Sequence, residues 1–134
     1  MKLKTIFTIN CIIAFLFGAG FIFLPTLCLT LMGYDVAGDA TLIAQGMGVF
    51  VFGTGVLTFL ARNSSKSDAR RAIVLSMIIL YILLISYKVS LNLFFGIPFN
   101  LMFASIYVIH IALIVSYGYI LYNEAQEKSK YKNP

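Results

Sequence analysis

Residues 70–95 read RRAIVLSMIILYILLISYKVSLNLFF: a double arginine, then about 24 mostly apolar residues holding one cation, Lys88. At about 1.5 Å of rise per residue, roughly 20 apolar residues cross the ~30 Å hydrocarbon core of a bilayer, so the stretch predicts a transmembrane helix. Moving outward, three further apolar stretches of similar length are separated by polar or glycine-containing breaks. They predict an all-α polytopic membrane protein, a four-helix transmembrane bundle in one domain covering residues 1–134. The expected helices span about residues 5–24, 40–61, 71–95 and 99–122.

Composition agrees with that reading. Of the 134 residues, 60% are hydrophobic and 11% charged, with a mean hydropathy of +0.94. Soluble domains average roughly 45–50% apolar and about 25% charged residues, so lipid takes over much of the role of a core here. The net charge of +5 comes from short basic clusters beside apolar runs. That placement points to anionic lipid headgroups, met by Arg62, Lys66, Arg70 and Arg71, and argues against a nucleic-acid partner.

The first apolar run, Ile6–Leu24, follows Lys2 and Lys4. A signal peptide also starts basic, but its apolar region is about 7–15 residues and ends in a small-x-small cleavage site. This run is longer and continues Pro25-Thr26-Leu27-Cys28, so a retained helix is expected. Pro25 ends it, because proline has no amide to donate and its ring clashes with the preceding turn. Residues 26–32 are apolar but too short to span, and are expected at the interface or folded back on the bundle. Cys11 and Cys28, on one continuous helix, would lie roughly 25 Å apart. A disulfide needs Cα atoms within about 7 Å, so no pairing between them is expected.

The second helix contains Gly46, Gly48, Gly53 and Gly55. In water each would cost about 1 kcal/mol of helix stability. In lipid small residues let helices approach closely, so this is expected to be the most tightly packed helix, with Ala44 and Gly48 as a small-xxx-small pair. The connector 62–71 is basic, and Ser67 or Asp68 is the expected N-cap of the third helix. Gly96-Ile97-Pro98 reads as a tight turn before the fourth helix, and residues 123–134 as a polar tail with a favourable Glu124–Lys128 pair.

In this layout nine of the ten cations fall on one side: Lys2, Lys4, Arg62, Lys66, Arg70, Arg71, Lys128, Lys130 and Lys132. By the positive-inside rule both termini are cytoplasmic, and the plasma (inner) membrane is the expected location. Lys88 is the cation left over. It lies about 10 Å from the outer end of its helix, where a lysine is expensive to insert. On a helical wheel it shares a stripe with Tyr81 and Asn92. One reading is snorkelling to the outer headgroups, or pairing with Asp35 or Asp39. The other is a site. The inward lean of helical side chains at this position, away from the near interface, weakens the snorkelling reading.

His110 is expected near the midplane on a face with Tyr107 and Tyr117, and Gln45 within reach of the outer polar group. The candidate ligand-binding pocket is therefore Lys88, Asn92, Gln45, Tyr81, His110 and Tyr107. One histidine and two separated cysteines predict no metal site, nothing marks an axial pair for haem, and no cofactor is expected. No nucleophile elbow, zinc-protease motif or phosphate loop is present.

The segments MKLKTIFTINCIIAFLFGAGFIFLP, IAQGMGVFVFGTGVLTFLAR and ARRAIVLS resemble a broad group of small prokaryotic four-helix membrane proteins, similar in layout to the DoxX-like proteins. The resemblance implies a four-helix bundle in a plasma membrane and carries no activity or catalytic residue with it. The leading expectation is a non-enzymatic protein that binds a lipid or other amphipathic small molecule, or serves as an accessory subunit of a partner membrane protein. A homo-oligomeric transporter or channel using Lys88 is the alternative. A membrane enzyme with His110 as acid–base and Tyr107 nearby is a third.

Overall fold

A computed structural model of the chain describes residues 2–34, 36, 38–95 and 100–132; the side chains of Phe95 and residues 128–132 lie outside that description, as do Asp35 and the 96–98 turn expected above. Five helices follow in order: α1 (Leu3–Phe23), the short α2 (Pro25–Leu31), α3 (Ala40–Ala61), α4 (Asp68–Phe95) and α5 (Leu101–Lys132). All but α2 are long and apolar enough to cross a membrane. The protein is an all-α, four-helix membrane bundle.

The local signals act where the sequence places them. Leu24 leaves helical geometry (φ −131°, ψ 48°), and Pro25 opens α2 as its first residue, where a missing amide costs nothing. The turn after α2 is a Schellman cap. Gly33 sits at φ 79° and donates its amide to Thr30 O at 2.9 Å, while Tyr34 donates to Leu29 O at 3.0 Å. This reversal returns Tyr34 to the bundle. The Ser67 hydroxyl accepts from the Arg70 amide (3.2 Å) as N-cap of α4, and the Asn100 side-chain oxygen accepts from the Phe103 amide (2.9 Å) as N-cap of α5.

The four spanning helices form two closely packed pairs. In the α1–α3 pair, Gly18 faces Phe52, and a Cβ on Gly18 would fall 2.7 Å from the Phe52 amide nitrogen. Gly48 lies equally close to Gly18 O and Phe21, and Gly55 to the Phe15 ring. A methyl group added at Gly46 or Gly53 would have no neighbour within 4 Å, so both positions face outward. Half of the glycine set therefore makes the interface, joined by Gly18 from the other helix. The second pair, α4–α5, is held by aromatic stacking of Tyr81 on Tyr117, with ring centroids 6.5 Å apart. The pairs meet where α1 touches α5, whereas α3 and α4, neighbours in sequence, scarcely touch.

Two apolar clusters hold this arrangement. One includes Ile6, Phe7, Val74, Met77, Leu113 and Tyr117 and lies towards the end that carries the chain termini and the 62–67 connector, called here the basic end. The other, with Phe21, Met32, Ala44, Phe103 and Ile106, lies towards the opposite end. At the basic end α5 continues to Lys132, further past Tyr122 than a turn or two. The reason is tertiary. Glu124 pairs with Arg70, and Glu127 with Lys66, so the last polar turns are anchored to the connector and to α4. The hydrogen bond and charge of Glu127 raise the Lys66 ammonium above its ordinary pKa. Both cysteines are free.

Candidate functional site

Between the two clusters the helix pairs enclose a cavity of ≈ 310 Å³. All four spanning helices line it, and α2 with Tyr34 covers its end opposite the basic end. Its α3 wall runs from Ala40 to Thr54 and its α4 wall from Leu80 to Leu91, so it extends about 17 Å or more along the helix axes. The walls are mainly Ile, Leu, Phe, Met and Val. Several lining residues are also exposed on the outer surface, notably Ile43 (65%), Phe50 (56%) and Tyr87 (56%). They flank the seam where α3 and α4 scarcely touch, so the cavity has a lateral mouth there that faces lipid in a membrane.

Three polar groups define its interior. At the basic end the floor is Asn10, 2% exposed, whose amide donates to the Tyr117 hydroxyl at 3.0 Å and accepts from the Tyr81 hydroxyl at 2.6 Å. The Asn10 amide also approaches the Met77 sulfur at 4.0 Å. This ties α1, α4 and α5 together at one point, and every hydroxyl involved has a partner, as burial in a low-dielectric interior requires. The His110 ring stacks on Tyr81 at 5.1 Å between centroids. Its Nδ1 is sealed from solvent and has no hydrogen-bond partner among the described residues.

Lys88 is the third group. It is 9% exposed, lines the cavity, and its ammonium stands 5.5 Å from the centre of the Phe103 ring. A cation over an aromatic face is attracted by the ring quadrupole, at the weak end of the range at this distance. Among the described residues the ion pairs are Lys66–Glu127 and Arg70–Glu124, and neither reaches Lys88. Asp39 is exposed and makes no ion pair among the described residues, while the expected alternative, Asp35, lies outside them. Above Lys88 the Tyr34 ring meets Phe103 edge-on at 6.0 Å, and burial pushes the Tyr34 phenol above its ordinary pKa.

Of the six residues singled out in the sequence, Lys88, Tyr81 and His110 line this cavity together. Asn92 and Tyr107 lie elsewhere, side by side in a shallow depression between α4 and α5, with the Tyr107 hydroxyl 3.4 Å from Asn92 Oδ1. Gln45 lies outside the cavity lining. Its amide donates to Ile22 O at 3.1 Å. The break at Pro25 deprives the last carbonyls of α1 of helical partners, and Gln45 reaches across from α3 to supply one. Asn10 is the polar residue missed. Its signal is visible in retrospect as the single amide side chain within the apolar run of the first helix. Among the described residues no three His, Cys, Asp or Glu side chains come together as metal ligands.

No protein-family model, no curated protein and no solved structure matches this chain.

Proposed function

We propose that this chain is a binding protein of the plasma (inner) membrane, with both termini in the cytoplasm, that holds a lipid or other amphipathic small molecule between its two helix pairs. The observation that carries the reading is the cavity itself: apolar along its walls, polar at a few fixed points, and open sideways between α3 and α4. Small-molecule sites have this composition, a mostly apolar lining with a small number of placed polar groups. A lateral mouth suits a ligand that partitions into the bilayer. The orientation rests on the basic end, which gathers Lys2, Lys4 and the connector cations.

Binding is favoured over conduction because the cavity stops at the Asn10–Tyr81–Tyr117 group and the apolar cluster beneath it. A path through one copy would have to breach both. The test is extraction of the purified protein from a mild detergent followed by mass analysis of what it retains. Wild type should carry an amphiphile in stoichiometric amount, and Leu84→Trp, which fills the cavity from the α4 wall, should lose it. Equal retention by both proteins refutes the site.

A further inference from the structure

We propose that the occupant is a single-chain carboxylic acid, its carboxylate held by Lys88 and His110 and its hydrocarbon chain lying along the apolar walls towards the α3–α4 mouth. This rests on the cavity being a binding site and adds the chemistry of the head group. The backbone positions of Lys88 and His110 lie at comparable depth, about 10 Å from the end of α4 and about 14 Å from the start of α5. Both line the cavity.

The Lys88 ammonium offers three donors, and no described carboxylate or carbonyl accepts from them. Of the two His110 ring nitrogens only Nδ1 is sealed, so Nε2 keeps accessible surface, and among the described residues no hydrogen bond reaches it. With the hydrogen on Nε2, the ring adds a second donor. A site that presents donors, one of them cationic, selects an anionic group with two acceptor oxygens. A neutral quinone or alcohol would satisfy a hydrogen bond but leave the buried charge uncompensated, which a low-dielectric interior penalises heavily. A cavity of ≈ 310 Å³, at the small end of the roughly 300–1,000 Å³ usual for small-molecule sites, favours one chain over two.

The test is equilibrium binding of palmitate and of hexadecanol, chains of equal length with and without the carboxylate, to the full-length protein in phosphatidylcholine nanodiscs. Wild type should bind palmitate at least about tenfold more tightly than hexadecanol, the worth of one charge-assisted hydrogen bond. Lys88→Gln should remove that preference, so that the two chains bind alike, while Lys88→Arg should keep it. His110→Phe retains a ring to stack on Tyr81 and should weaken palmitate about threefold, in line with loss of one neutral donor. Equal binding of the two chains by wild type, a preference that survives Lys88→Gln, or full affinity in His110→Phe overturns the two-donor carboxylate site. Leu84→Trp separates this from the underlying reading. If it abolishes binding of both chains, the cavity is the site whatever the head group. If both bind it as they bind wild type, the cavity reading itself fails.

Discussion

Replacing Gly18 by alanine should separate the α1–α3 pair, whereas the same change at Gly46 should not. The new methyl carbon at Gly18 would lie 2.7 Å from the Phe52 amide nitrogen and 2.8 Å from its Cβ. Ordinary contact begins near 3.4 Å, so the backbones must part by about 0.7 Å. They have no flexible side-chain tip to yield instead. Separation on that scale forfeits roughly a quarter to a half of the attraction of each facing atom pair, and overpacking of this kind costs about 1–3 kcal/mol. Gly46 has no neighbour within 4 Å, so alanine there meets no clash and gains a little helix propensity. Reversible unfolding in mixed SDS and dodecylmaltoside micelles, followed by far-ultraviolet circular dichroism, measures both. Because Gly48 approaches the Gly18 carbonyl, the Gly18→Ala/Gly48→Ala pair should lose less than the sum of its singles. Stabilities of Gly18→Ala and Gly46→Ala that agree within about 0.5 kcal/mol, the usual scatter of substitutions away from contacts, would refute the glycine seam.

Three other outcomes are expected. Asn10→Ala should destabilise by about 1–4 kcal/mol, the loss of two membrane hydrogen bonds, and should show coupling of at least about 0.5 kcal/mol with Tyr81→Phe in a double-mutant cycle; additive losses would mean the two side chains act independently. Lys88→Met should stabilise the ligand-free protein by about 1–3 kcal/mol, because it removes a buried charge for which no described residue supplies a partner, and a lower stability in the same unfolding measurement would reveal an unseen counter-charge. Arg70→Ala should cost about 1 kcal/mol and be rescued by the Arg70→Glu/Glu124→Arg exchange, since that pair is largely shielded from solvent, whereas Lys66→Ala, in a pair exposed on both sides, should change nothing measurable at moderate salt.

Much of the fold is legible in the sequence because its signals are local. The four spans are long apolar runs, Pro25 breaks the first as its missing amide requires, and Ser67 caps α4 where its hydroxyl meets a free amide. Which faces meet is far less legible. Each spanning helix is apolar almost all round, so no stripe distinguishes a lipid-facing side from a packed one. Gly46 and Gly48 look alike in sequence, yet one faces outward and the other touches α1. Gln45 resembles a site residue because its partner, a carbonyl orphaned by Pro25, is invisible without the crossing of α1 and α3. Lys88 stands out because charge is rare in such a run. Asn10 does not, because a lone amide has no period, and its importance comes from two tyrosines distant in sequence that converge on it.

The near absence of contact between α3 and α4 bears on how the molecule is built. The glycine seam joins α1 to α3 alone, and α4 and α5 pack as a hairpin of their own. The bundle is thus two halves joined where α1 meets α5 and where Asn10 bonds to Tyr81 of α4. The cavity belongs to neither half and comes into being only when they dock. A substitution that loosens the joint would abolish the cavity while leaving both halves folded.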